Sequence, residues 1–222
     1  FANVDYARIC EYLNFADQSE DAYNAEVISA NYLKNYRPSM ETGFHAVLGK
    51  YVIHSHSVYA NVLTCSEEGC DFVKRLFDEV IWIDYCSPGR ALTMAVKQNS
   101  RSKLFFLANH GLIVHGESTS EVMEQHEIVT EKLKIEFGLE DFLSSKEPKP
   151  DVVDMNNRIL FPDQVIYTNP MAQFEHTTAL DETLSAYSYI DRHIKMLGFT
   201  PSYLSDDDAN FLVNMDAEKH RS

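Results

Sequence analysis

Residues 103–115 have the sequence KLFFLANHGLIVH, in which two apolar runs flank a short polar segment. Both runs are short and rich in aromatic and β-branched side chains, which is typical of buried strands. We predict strands over 103–108 and 112–115, joined by a tight corner at 109–111. The corner places His110 at the end of a buried strand, where its ring would be held rigidly.

Outward from this pair, the chain alternates between strand-like and helix-like patterns. Further strands are predicted over 51–56, 80–85 and 164–168. Helices are predicted over 5–15, 17–34, 40–48, 90–98, 118–137, 181–196 and from 205 onwards. This alternation predicts an α/β fold, in which helices cover both faces of one sheet in a single compact domain.

The charge balance excludes some classes of partner. The chain has 222 residues with 34 acidic and 19 basic side chains, giving a formal net charge of −15. Such a surface repels phosphate backbones and anionic lipids, so we expect neither nucleic-acid nor membrane binding. A small anionic substrate stays compatible with this charge if a bound dication makes the site locally positive.

Cysteine usage and the absence of targeting signals suggest a cytoplasmic protein. The four cysteines form no CxxC pair, and a chain of this size needs no disulfides, so we expect reduced thiols. Apolar runs are too short to cross a bilayer, and no signal peptide is expected. Because the first residue is Phe1 rather than Met, we expect a fragment or a processed form.

The most informative local pattern is His54-Ser55-His56, at the end of a predicted strand. Residues two apart on a strand point the same way, so both imidazoles could bind one ion. The alternative interpretation is that His54 and His56 are simply two polar residues at the end of a strand. Glu41, on the helix leading into this strand, and His110 favour a metal site, because three histidines and a carboxylate suit a catalytic divalent ion.

Three separate segments resemble the class II aldolase/adducin family of fuculose-1-phosphate and rhamnulose-1-phosphate aldolases and ribulose-5-phosphate 4-epimerase. They are PSMETGFH at 38–45, HSH at 54–56 and ANHGLI at 108–113. Their order and spacing agree with the family over residues 38–137. The resemblance implies a three-layer α/β/α fold with a mixed, largely antiparallel central sheet. It also implies a homotetramer with active sites at subunit interfaces.

The same resemblance implies roles for individual side chains. Glu41 would be the catalytic proton-transfer residue, and Ser39 would bind the phosphate of a sugar-phosphate substrate. The metal ligands would be His54, His56 and His110, holding Zn²⁺ or another divalent metal. Asn109 is placed to hydrogen-bond the substrate or the surroundings of the metal, and a loop-capping role is the alternative.

The chain also departs from the family pattern at both ends. The Gly-Asn-(Ile/Val)-Ser segment and the Thr-Gly or Ser-Gly loop that help to bind phosphate in the family are not visible, so we expect residues 1–222 to lack the family's N-terminal segment. Met40 stands where the aldolases often have a second phosphate-binding serine. Residues 151–222 are interpreted as a C-terminal extension packed on the single domain.

From these residues we expect a zinc-dependent lyase of the class II aldolase type. It would cleave or form a carbon–carbon bond of a sugar phosphate through a metal-stabilised enediolate, with Glu41 as the base. Epimerisation, dehydration or decarboxylation at the same site is one alternative. A non-catalytic, adducin-like assembly module is another, and the intact set of three histidines and one glutamate argues against it.

Overall fold

The computed structural model describes residues 2–15, 19–34, 36–151, 158–168 and 177–214. Within these ranges, no helix combines the length and the apolar character needed to cross a lipid bilayer. All four cysteines are free, as the sequence predicts.

The centre of the fold is a mixed sheet of four strands. They are β1 (Tyr51–Ser55), β2 (Ile81–Ile83), β3 (Leu104–Leu107) and β4 (Gly111–Gly116). The order is β1-β4-β3-β2, with antiparallel β1/β4 and β3/β4 pairs and a parallel β2/β3 pair. Because β3 and β4 occupy the middle positions, every residue in them is buried. The predicted strand–corner–strand and the largely antiparallel sheet are therefore confirmed.

Helices flank the sheet and continue beyond it. They are α1 (Tyr6–Tyr12), α2 (Glu20–Ser29), α3 (Thr42–Val47), α4 (Val58–Thr64), α5 (Gly69–Leu76), α6 (Arg90–Gln98), α7 (Thr119–Phe137), α8 (Pro162–Thr168), α9 (Thr177–Met196) and α10 (Asp206–Asn214). A 3-10 turn spans Ser144–Lys146. Asp5, Ser19 and Ser118 begin α1, α2 and α7 by accepting a backbone N–H from three residues ahead.

Alternate side chains of the central strands build two separate cores. Phe105 and Ile113 point to one face and pack against α3 and α6. Phe106 and Leu112 point to the other face and pack against α4, α5 and α7. This follows from the two-residue period of a strand, and it confirms the three-layer α/β/α arrangement.

The residues after position 158 pack against α4. Leu160, Phe161 and Ile190 are buried in one apolar cluster with Val58 and Val62. The cluster joins the start of α8 and the middle of α9 to the helix that follows β1. The predicted division of the chain at residue 151 is not tested by this packing and stays a prediction.

One predicted strand is wrong, because residues 164–168 belong to helix α8. The β-branched and aromatic side chains of this segment favoured a strand. Pro162 is suited to the first turn of a helix, however, since its fixed φ is already helical and it has no N–H to satisfy. The Gln164 side chain then accepts from Leu160 N and donates to Arg158 O, which holds the start of the helix.

Several helix limits also differ from the predictions. α2 ends at Ser29 instead of reaching residue 34, α3 begins at Thr42 instead of 40, and α9 begins at Thr177 instead of 181. α4 and α5 had no prediction, and most of α4 is buried, which removes the polar stripe that marks a surface helix. Asp17, the predicted start of α2, lies outside the described residues.

The buried sheet predicts where the fold is most sensitive. Phe106→Ala removes a fully buried ring from β3, and we expect a loss of about 3–5 kcal/mol in the free energy of unfolding. Ile135→Ala is the control, because this side chain is 81% exposed on α7. Urea unfolding of both variants measures the difference, and equal stability would contradict a core centred on β3 and β4.

Candidate metal centre

The end of β1 brings two imidazoles together. His54 lies in the strand and His56 directly follows it, so the extended backbone points both rings to the same side. Their Nε2 atoms are 3.1 Å apart, and the ring centroids are separated by 4.9 Å. The predicted pairing of the two histidines is therefore present in the geometry.

His110 and Glu41 complete the cluster from two other places in the chain. His110 lies in the corner between β3 and β4 and is buried. Glu41 directly precedes α3, and its Oε1 atom lies 3.1 Å from His110 Nε2 and 3.5 Å from His54 Nε2. One donor atom from each of the four side chains lies within 4.8 Å of the others.

The hydrogen bonds of two histidines determine which ring nitrogens carry a proton. His54 Nδ1 lies 3.0 Å from the carbonyl oxygen of Leu112, which can only accept, so this nitrogen donates. His56 Nδ1 donates to the Asp163 carboxylate. In the neutral rings both Nε2 atoms are then unprotonated, and their lone pairs face each other. A cation between them removes this repulsion.

A divalent metal ion fits this arrangement. Zinc bound to histidine nitrogens at 2.0–2.1 Å in tetrahedral geometry separates two such nitrogens by about 3.3 Å, close to the spacing of His54 and His56. Neither ring nitrogen of the buried His110 has a hydrogen-bond partner of good geometry among the described residues, and its Nε2 atom lies 3.1 Å from Glu41 Oε1. Unused lone pairs that converge on one point are what a metal site requires.

The electrostatics keep the donors in the forms that bind metal. Burial lowers the pKa of His110 to about 4, so this ring is neutral near pH 7. Burial would raise the pKa of Glu41, but the charge that His54 carries when it is protonated, together with the contact to His110, holds that pKa well below its usual value. Glu41 is therefore an ionised carboxylate when no substrate is present.

The structure places the other two predicted site residues differently. Ser39 is exposed, and its Oγ atom accepts the backbone N–H of Glu41, which fixes the turn before α3. Asn109 is buried and donates its side-chain amide to the carbonyls of Leu160 and Ser202. These contacts correspond to the loop-capping alternative for Asn109, and its role in substrate binding stays a prediction.

Sequence reasoning missed Asp163 as a contact of this cluster. The Pro162-Asp163 pair could have indicated the start of a helix. No local pattern, however, connects that helix with His56, which lies 107 residues earlier. The missed contact is a consequence of tertiary packing alone.

A cavity of about 340 Å³ opens beside His56, between α4, α8 and α9. The carboxylates of Asp163 and Glu182 line it, together with the polar side chains of Asn61 and Thr183. No lysine or arginine contributes among the described lining residues. The cavity therefore suits hydroxyl groups better than a second anion.

Comparisons with known proteins agree with the fold. The model of the class II aldolase and adducin N-terminal domain matches residues 16–137. A 3-oxo-tetronate 4-phosphate decarboxylase from Pectobacterium atrosepticum is 30% identical, with 51% of this chain and 60% of the relative covered. An enzyme of the same name from Escherichia coli K12 is also 30% identical, with 50% and 60% covered.

A solved structure extends this likeness to the fold. The N-terminal class II aldolase domain of a conserved protein from Thermoplasma acidophilum has a TM-score of 0.55 and 20% identity. The match covers 61% of this chain and 65% of that one. The chain spans about 60% of the length of the curated relatives it matches.

The converging lone pairs predict one divalent ion per chain. His54→Ala and His110→Ala each remove a ligand, so we expect zinc affinity to fall by more than the roughly 10- to 100-fold typical of losing an outer contact. His126→Ala is the matched control, since this ring contacts Ser55 and not the cluster. Calorimetry with zinc and metal analysis measure the effect. Full zinc binding by His110→Ala would contradict the ligand set.

The loop-capping contacts predict how Asn109 acts. Asn109→Gly tolerates the positive φ of 53° but leaves two carbonyls without their donor, and we expect a loss of about 1–3 kcal/mol in unfolding free energy. Asn109→Ala should cost more because alanine is strained at this φ. Urea unfolding tests both variants. Unchanged stability together with a raised KM for the substrate would instead assign Asn109 to substrate binding.

Proposed function

We propose a function from one premise, which is that this chain belongs to the class II aldolase and adducin family. The proposed activity is that of a divalent-metal lyase that removes carbon dioxide from a phosphorylated 3-oxo sugar acid. From the sequence we expected aldol cleavage first and decarboxylation among the alternatives. The names of the relatives favour decarboxylation.

The observation that carries the proposal is the convergence of Glu41, His54, His56 and His110 on one point. A 3-oxo acid has its carboxylate on the carbon next to the ketone. When the bond to that carboxylate breaks, the electron pair moves towards the ketone oxygen and an enediolate forms. A divalent cation held by the histidines would stabilise this negative charge. The step requires no other cofactor.

Glu41 is proposed to transfer the proton that completes the reaction. The carbon that loses carbon dioxide takes up one proton, so the 3-oxo carboxylate plus one proton gives the ketone plus carbon dioxide. Contacts with His54 and His110 lower the pKa of Glu41, whereas burial raises it. A substrate that displaces Glu41 from these contacts would leave burial to raise its pKa, which is the direction in which the carboxyl takes up a proton.

The charges around the centre suggest how a substrate lies. The cavity beside His56 has two carboxylates, so a phosphate group there would be repelled. Ser39 is exposed and lies two residues before Glu41, and it stays the predicted phosphate contact. We propose that the phosphate faces Ser39 while hydroxyl groups face the cavity.

Three further assignments belong to the same proposal. Zinc is proposed as the native metal, because three histidines and a carboxylate are a common zinc set, although manganese, cobalt or iron accept the same donors. A homotetramer is proposed from the family resemblance. A single domain with an extension from residue 151 is proposed on the same basis, and light scattering of the protein tests the tetramer.

The proposed reaction predicts a specific effect of Glu41→Gln. The zinc-loaded wild type should release carbon dioxide from 3-oxo-tetronate 4-phosphate, and the variant should lose about 10²- to 10⁴-fold in kcat while still binding zinc. Glu124→Gln, an exposed residue of α7, is the control and should retain activity. A coupled assay for carbon dioxide measures the rates.

Assays for aldehyde release and for bound metal, run beside the carbon dioxide assay, distinguish the alternatives. Release of an aldehyde from ketose 1-phosphates, without decarboxylation, would support the aldolase. A folded protein that binds no metal and turns over neither substrate class would support an assembly module instead. Unchanged kcat in Glu41→Gln would remove this side chain from the chemistry.

A further inference from the structure

We propose that Asp163 is a positioning residue of the metal centre, and that it fixes the His56 ring with its Nε2 lone pair directed at the ion. This inference rests on the metal centre of the proposed function. It assigns a role to α8, which lies beyond the segment that the family model matches. The C-terminal part of the chain would thus complete the site rather than only pack beside it.

The contact itself is specific. The Asp163 carboxylate accepts from His56 Nδ1, and both side chains are largely shielded, with 20% and 26% exposed. His54 Nδ1 instead donates to a backbone carbonyl, and His110 Nδ1 has no partner among the described residues. Within the described cluster, His56 is therefore the histidine whose orientation depends on a charged side chain.

The backbone that carries Asp163 is held firmly against the sheet. The carbonyl of Leu160 accepts from the Asn109 amide at 2.9 Å, next to the corner that holds His110. Gln164 Oε1 accepts from Leu160 N, and Leu204 N donates to the carbonyl of Ile159. Because this anchored turn leads directly into α8, the carboxylate is presented from a defined position.

Two consequences follow for a bound metal. A carboxylate on Nδ1–H fixes the tautomer in which Nε2 is free, and it makes that nitrogen a stronger donor. It also places a second negative charge near the centre, beside that of Glu41. Two carboxylates balance the charge of one divalent cation, which matters in a site this shielded from water.

The test measures zinc affinity and the His56 tautomer in the full chain. Asp163→Ala should raise the zinc Kd by about 10- to 100-fold, measured by competition with a chromophoric chelator. In the metal-free protein, ¹⁵N NMR should show His56 protonated on Nδ1 in the wild type and a shift towards Nε2 in Asp163→Ala. Asp163→Asn keeps an acceptor oxygen, so it should keep the tautomer and lose less affinity.

A matched control separates this role from a merely structural one. Asp206→Asn removes a carboxylate from the first turn of α10, where it is exposed, and should leave Kd and tautomer unchanged. If Asp163→Ala does not fold, the Asn variant decides, since a Kd equal to the wild type would overturn the inference. An unaltered Kd or tautomer in folded Asp163→Ala overturns it too. A wild type that binds no zinc removes the proposed function as well.

Discussion

The site depends on the antiparallel pairing of β3 with β4. The corner between these strands and the start of β4 fix the position of His110 and two hydrogen bonds to other parts of the chain. The corner holds His110, and two residues later the carbonyl of Leu112 orients His54. Asn109, in the same corner, binds the backbone of Leu160. Since both strands are buried on both faces, the corner has little freedom to move. The buried strands of the core thus determine the positions of His54 and His110.

Local patterns predicted the parts of this site that depend on one segment at a time. The two-residue period of a strand placed His54 and His56 together, and the apolar run before His110 placed that ring at a strand end. Contacts made across the chain had no such signal. The Asp163–His56 pair joins residues 107 positions apart. The buried side-chain amide of Asn109 donates to Leu160 and Ser202, and no local pattern predicts that these distant segments meet it.

The error at residues 164–168 shows how tertiary context decides an ambiguous segment. Its β-branched side chains fit a strand as well as a helix, and short apolar segments cannot be distinguished by period alone. The hydrogen bonds of Gln164 and the start at Pro162 decide in favour of a helix. In this helix Asp163 contacts His56, and a prediction of a strand here gives no reason to expect that contact.

The cluster is electrostatically costly without a cation, and this links metal binding to folding. Facing lone pairs on His54 and His56 repel each other. The buried Glu41 carboxylate loses hydration, and among the described residues its ion-pair contacts are with His54 and His110, not with a lysine or an arginine. A chain with a net charge of −15 offers few nearby cations to relieve either cost. A bound divalent ion would relieve both at once, and its binding free energy would then add to the stability of the fold.

Decarboxylation and aldol cleavage share an enediolate intermediate but release different fragments. Groups other than the four candidate metal ligands must therefore determine which reaction occurs. Departing carbon dioxide needs no base, whereas a departing aldehyde requires a proton to be removed from its hydroxyl group. The donors alone cannot distinguish these cases, because they stabilise the same charge. The distinction must come from the groups that surround the leaving fragment. In the proposed reaction those groups would include the cavity walls supplied by α8 and α9, which lie beyond the segment shared with the family.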